Sequence, residues 1–202
     1  MNVKFLRNFG YIENRLPTDL FNSIKKECFD ILEGNPNGNF KRNTELSGEG
    51  VPDHYNMKIN NDALFRVVAD MVGHAEKTIK YSGAIKNFTR PCPLWFDIPW
   101  INYKKKGEFI PNHIHDGLYS YNIWVNIPYD IEDELKTGDY ASTFEFTFNS
   151  ITGHLITDRL KIDKTWEGKI MLFPALLQHC VYPFYTSDGV RISVAGNVQY
   201  KT

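Results

Sequence analysis

The densest polar run in the chain is Pro111-Asn112-His113-Ile114-His115-Asp116-Gly117. On a strand, side chains two apart share a face. His113 and His115 therefore converge, with Ile114 packed on the opposite side. Two imidazoles so placed make half of a metal site, and neutral imidazole suits iron, zinc, copper or nickel. A third ligand has to come from elsewhere. His179 is the best-placed candidate, at the start of an extended run after the apolar segment Ile170-Met171-Leu172-Phe173-Pro174. Twelve residues later comes Arg191, in Arg191-Ile192-Ser193-Val194. An arginine inside a barrel is a costly buried charge unless an anion pairs with it, and its fork suits a carboxylate. Taken singly, a His-x-His pair or a strand arginine is usually an ordinary surface feature. Their order and spacing together point to a site.

The elements that must position these residues fall into two textures. Phe21, Ile24, Cys28, Ile31 and Leu32 recur at helical spacing, with Thr18 as a candidate N-cap and Gly34 after the last turn. A second helical stripe from about Asp62 takes in Leu64, Val67, Val68, Met71, Val72, Ala75 and Ile79. Asn35 to Asn56, rich in Gly, Asn and charge, reads as a long loop. From Leu94 onward, aromatic and β-branched residues come in short runs split by turn residues. Strands are expected at Leu94–Tyr103, Ile110–His115, Tyr119–Ile127, Thr143–Asn149, His154–Ile162, Lys169–Phe173, His179–Phe184 and Val190–Tyr200, with a hairpin turn at Ser150-Ile151-Thr152-Gly153. Eight short strands with no helix pattern between them predict a double-sheet jelly roll. The expected fold is mainly β with N-terminal helices. It forms a single domain over 1–202, with a helical support region at 1–90 and a jelly-roll core (a double-stranded β-helix) at 91–202.

Composition narrows the function. The 202 residues hold 23 Lys+Arg against 24 Asp+Glu, a net charge of -1, which excludes a bulk nucleic-acid binder. Three cysteines without a CxxC exclude a disulfide scaffold and a Cys-rich zinc site. No apolar run is long enough to span a membrane, and the N-terminus has no signal-peptide pattern; a cytoplasmic setting is expected. The remaining histidines read as ordinary: His74 on a helix surface, His154 after a turn, His54 in the solvated loop. Lys104-Lys105-Lys106 reads as a solvated run and Cys180 as core.

The order His-x-His-Asp, a distant His, then an Arg about ten residues on resembles the Fe(II)/2-oxoglutarate-dependent oxygenase superfamily across residues 94 to 200. The likeness is to prolyl-4-hydroxylase-like members, which place a Tyr ten residues before the first metal His with a Gly between; here these are Tyr103, Gly107 and His113. It extends to small phage-encoded oxygenases through Trp100-Ile101-Asn102-Tyr103, Lys106-Gly107-Glu108-Phe109, the Ser-led strand Ser120 to Pro128, Phe173-Pro174 before His179, and Arg191, Ser193 and Asn197. The departure is at the acidic ligand, where His115 stands; Asp116 remains the alternative, should the strand bulge at Gly117.

The resemblance implies Fe(II) as metal and 2-oxoglutarate and O2 as cosubstrates, with His113, His115 and His179 as metal ligands. It implies that the far carboxylate of 2-oxoglutarate binds Arg191, helped by Ser193 or Tyr103. The products would be succinate, CO2 and a hydroxylated peptide or small molecule. A strand-end Tyr is otherwise a packing residue. Asn122 faces either the pocket or solvent, and Asn197 either the pocket or a structural hydrogen bond. Two other readings stand beside this one. A non-catalytic metal-binding jelly roll would suit the missing acid. A cupin-like three-histidine dioxygenase would leave Arg191 unexplained.

Overall fold

The computed structural model describes residues 10–34, 53–58, 61–82 and 92–201. Its N-terminal part consists of strand β1 (Ile12–Arg15), helix α1 (Thr18–Leu32), strand β2 (Asp53–Asn56) and helix α2 (Asn61–Thr78). Nine strands follow: β3 (Leu94–Phe96), β4 (Trp100–Lys104), β5 (Ile110–His113), β6 (Tyr119–Asn126), β7 (Thr143–Asn149), β8 (Leu155–Lys161), β9 (Lys169–Pro174), β10 (Gln178–Val181) and β11 (Arg191–Tyr200). A five-residue helix, α3 (Ile131–Leu135), and a 3-10 turn at Lys164–Trp166 interrupt them.

The strands form two antiparallel sheets. The larger runs β1-β9-β6-β11-β4-β2, with β3 also paired to β11; the smaller runs β5-β10-β7-β8. This is the double-stranded β-helix predicted from the spacing of the strands. The helices support one face of the large sheet. Ile24 and Cys28 of α1 and Leu64 and Val68 of α2 join Ile101, Tyr103, Tyr121, Ile123, Ile192 and Val194 in one buried cluster. The apolar stripes expected at helical spacing thus pack into the core, except for Leu32, which is exposed. A second cluster, with Trp124, Phe144, Phe146, Phe173 and Phe184, fills part of the space between the sheets. Among the described residues, no helix is long and apolar enough to cross a membrane.

Four local expectations need correcting. Thr18 is the first helical residue of α1; Pro17 holds the cap position without a side-chain bond, and Gly34, at φ 87°, follows the helix. The long strand expected at Leu94–Tyr103 is two strands, because Pro99 breaks the ladder: it has no N–H to donate. The expected loop 35–56 ends in β2, which pairs with β4 from Asp53↔Tyr103 to Asn56↔Trp100; residues 35–52 lie outside the described set. The strand expected at His154–Ile162 begins at Leu155, after the turn closed by Gly153 N–H donating to Ser150 O at 2.9 Å.

Candidate metal centre and anion pocket

The strand pairing builds the site. In the small sheet β5 and β10 run antiparallel, with His113 directly opposite His179. The chain leaves β5 but stays tied to the β9–β10 turn, since His115 N–H donates to Ala175 O at 2.9 Å. His115 thus swings in beside the other two. One ring nitrogen from each of His113, His115 and His179 lies within 4.8 Å of the others. The ring centroids stand 4.3 Å apart for His113–His179, 4.9 Å for His113–His115 and 5.1 Å for His115–His179. Asp116 is exposed at the rim and does not join this cluster.

The electronic state of the rings is set locally. Nδ1 of His113 meets Pro111 O at 2.7 Å and Nδ1 of His179 meets Leu177 O at 2.8 Å. A carbonyl can only accept, so both Nδ1 atoms carry the proton and both Nε2 lone pairs are free. Burial disfavours the charged form: it lowers His113, with Lys104 adding to the shift, and it brings His115 to about 4 and His179 to about 3, with neighbouring histidines adding for these two. At neutral pH the cluster is three neutral imidazoles. Phe144 stacks on His179 at 5.5 Å and Phe173 meets its edge at 4.8 Å, which fixes the ring. His115 has Trp100 at 5.8 Å.

The histidines line one region of a cavity of about 480 Å³ between the sheets. The same cavity is lined by Arg191, Ser193, Asn122 and Asn197. Arg191 is buried, at 4% exposed; its Nη2 donates to Tyr182 O at 2.8 Å and its guanidinium lies 5.3 Å from the Phe184 ring. The loop that leads into its strand is pinned by the buried Glu134 of α3, which accepts from Tyr185 N–H at 2.9 Å and Thr186 N–H at 2.6 Å. Ser193 Oγ accepts from Asn102 Nδ2 at 3.3 Å, and Asn197 Oδ1 accepts from Ser120 Oγ at 2.8 Å. Of the two readings left open for Asn122 and Asn197, both line the cavity, and Asn197 makes a structural bond as well.

Tyr103 is a correction. Its ring belongs to the helix-facing core and its Oη donates to Cys28 O at 2.7 Å, so it cannot reach an anion beside Arg191. Alternation along β4 puts Asn102 and Lys104 on the cavity face in its place. Lys104, read from the sequence as part of a solvated run, is buried at 2% exposed. His54, read as solvated loop, is buried on β2 and also lines the cavity. A signal for Lys104 was available: Ile101 and Tyr103 alternate with Asn102 and Lys104, so the polar face of β4 turns away from the helices.

The donor set fits a divalent metal that accepts nitrogen, with three neutral imidazoles on one side. The nearby buried Arg191, with no carboxylate paired to it among the described residues, fits a carboxylate ligand in the same cavity.

Comparisons with known proteins agree with this geometry. Residues 99–197 match a family model described as "Putative 2OG-Fe(II) oxygenase". No curated protein sequence matches the chain. Among solved structures, a Pseudomonas putida prolyl-4-hydroxylase is similar at a TM-score of 0.60 and 13% identity, over 96% of this chain and 94% of that one. A Trichoplax adhaerens prolyl hydroxylase, solved with a hypoxia inducible factor peptide, is similar at 0.60 and 11%, over 95% and 82%. The non-heme alpha ketoglutarate dependent carbocyclase SnoK from nogalamycin biosynthesis is similar at 0.58 and 14%, over 96% and 80%. These likenesses establish the fold; the family match and the gathered histidines go further. Residues 99–197 carry the match to the 2-oxoglutarate/Fe(II) oxygenase family, and the chain is a 2-oxoglutarate-dependent dioxygenase.

Proposed function

We propose that the cavity between the sheets is the active site of a hydroxylase acting on a C–H bond of a peptide or small molecule. One O2 and one 2-oxoglutarate would be consumed for each hydroxyl group formed, with succinate and CO2 released. The observation that carries this reading is the meeting of His113, His115 and His179 in the cavity that also holds Arg191.

In this reading His113, His115 and His179 hold Fe(II), which when bound supplies O2 activation coupled to oxidative decarboxylation of 2-oxoglutarate. The chain's own residues do the rest. The Pro111 and Leu177 carbonyls keep the His113 and His179 tautomers that present Nε2. Arg191 holds the far carboxylate, and Ser193 stands beside it to donate. Asn122 and Asn197 orient whatever occupies the centre of the cavity, while Trp124, Phe144 and Phe173 exclude water around it. Three neutral imidazoles leave the centre one negative charge short of two histidines and a carboxylate, which weakens metal retention. The three free cysteines suit the reducing cytoplasm, where we place the enzyme.

Anaerobic addition of Fe(II) and 2-oxoglutarate tests the reading. A weak visible charge-transfer band is expected, absent in Arg191→Ala, and succinate is expected on admitting air. Neither band nor succinate from the wild type overturns it. A band without succinate supports the second reading, a metal-binding jelly roll without turnover, which the histidine in the acidic ligand's place favours.

A further inference from the structure

β4 pairs with β11 so that Lys104 stands directly opposite Arg191, and both side chains line the cavity. The two are 2% and 4% exposed. Two cations removed from water side by side repel each other, and each has lost its hydration. The arrangement around them does not compensate. Among the described residues the Lys104 side chain makes no ion pair and no hydrogen bond. Glu108 favours its charge, but the Glu108 carboxylate is engaged by Lys105 N–H at 2.6 Å. Burial and Arg191 together drive the Lys104 ammonium well below its ordinary range. A pair of this kind is stable when one anion is shared between both members.

We infer that Lys104 is a second anchor for the remote carboxylate of 2-oxoglutarate, which sits clamped between the Lys104 ammonium and the Arg191 guanidinium. This rests on the oxygenase reading above. The position supports the cosubstrate over the substrate to be oxidised. Lys104 shares its cross-strand position with Arg191, and both line the same cavity as His113 and His179, the pair on β5 and β10. Ile110 and Val181 wall the cavity on the same two strands. The consequence is selectivity. A 2-oxo acid that lacks the second carboxylate would leave the buried Arg191 without an anion and Lys104 without a partner, so the site discriminates strongly for the dicarboxylate.

The test is Lys104→Met, which keeps the length and apolar body of the side chain and removes the charge. Calorimetry with Mn(II) in place of Fe(II) reads binding without turnover. The Kd for 2-oxoglutarate is expected to rise about tenfold to a hundredfold, the range for losing a charged hydrogen bond. The affinities for Mn(II) alone and for 2-oxovalerate, the same keto acid without the far carboxylate, are expected to stay as they are. Lys104→Arg is expected to recover part of the 2-oxoglutarate affinity. Unchanged 2-oxoglutarate binding in Lys104→Met overturns the inference. So does an equal loss of 2-oxoglutarate, 2-oxovalerate and Mn(II), which is general damage; thermal melts of both variants identify it. If the wild type itself binds Mn(II) but not 2-oxoglutarate, the oxygenase reading falls first and the inference with it.

Discussion

Two antiparallel strand pairs serve the cavity, and each delivers two side chains to the same place. β5 and β10 set His113 against His179; β4 and β11 set Lys104 against Arg191. The first pair can be buried cheaply, because an imidazole sheds its proton, as His179 does by falling to about 3. The second pair can do so only in part: Lys104 is pushed toward its neutral form, but the Arg191 guanidinium does not titrate in any relevant range. The metal half of the site is thus at rest without its ligand, while the anion half keeps the buried Arg191 charge without an anion until one arrives. The two halves should therefore fail separately.

The largest effect is expected from His179→Ala. His179 stands within 5.1 Å of both other rings and is the most buried of the three. Its loss leaves two donors, and Fe(II) content after desalting should fall to background, with succinate formation gone. His115→Ala should behave alike, whereas Asp116→Ala should keep its iron, because the Asp116 carboxylate lies outside the cluster. Iron retained in His115→Ala and lost in Asp116→Ala would reverse the assignment of the second ligand.

Arg191→Gln comes next and should break the other half alone. Iron content should hold, while the Kd for 2-oxoglutarate rises about a hundredfold, as expected for a charged hydrogen bond of about 1.5–3 kcal/mol. Loss of iron in this variant would mean that the two halves are not separable.

The halves also differ in how far the sequence discloses them. Histidine is scarce in this chain, so His113-x-His115 stands out, and strand alternation places the two on one face without further information. Arg191 is legible because an arginine amid Ile192 and Val194 needs a partner. Lys104 is hidden by its neighbours Lys105 and Lys106, which are exposed; a run of three reads as surface although its first member ends an interior strand. Tyr103 misled for a related reason. Counting ten residues back from His113 fixes a position along the chain but not a face, and the break at Pro99 means that the face of β4 cannot be carried over from β3. His54 was out of reach, since Asp53–Asn56 lacks any strand alternation and is extended only because β4 supplies its hydrogen bonds. The jelly roll itself was readable, because it rests on many short amphipathic runs.

A change that touches neither half tests how rigidly β11 holds Arg191. A Cβ on Gly196 would overlap the ring and hydroxyl of Tyr121 on the facing strand. Tyr121 is fully buried and cannot withdraw. Gly196→Ala should destabilise by about 1–3 kcal/mol through overpacking, seen as a fall in Tm of about 2–4 °C per kcal/mol. The 2-oxoglutarate affinity of the folded fraction should change little, because the strain falls on the helix-facing side of the sheet.

The smallest effect is expected where the resemblance placed a site residue and the structure does not. Tyr103→Phe removes the hydroxyl that donates to Cys28 O across the interface between β4 and α1. The ring stays packed against Tyr55 at 5.7 Å. One neutral hydrogen bond in a buried interface is worth about 1 kcal/mol, so the variant should melt slightly earlier and bind 2-oxoglutarate as the wild type does. A selective rise in the Kd for 2-oxoglutarate, with Tm unchanged, would return Tyr103 to the anion pocket and remove the need for Lys104 there. Run beside Lys104→Met, the two substitutions exchange their expected outcomes if the face assignment of β4 is reversed. That makes the pair a sharper test of the anion half than either change alone.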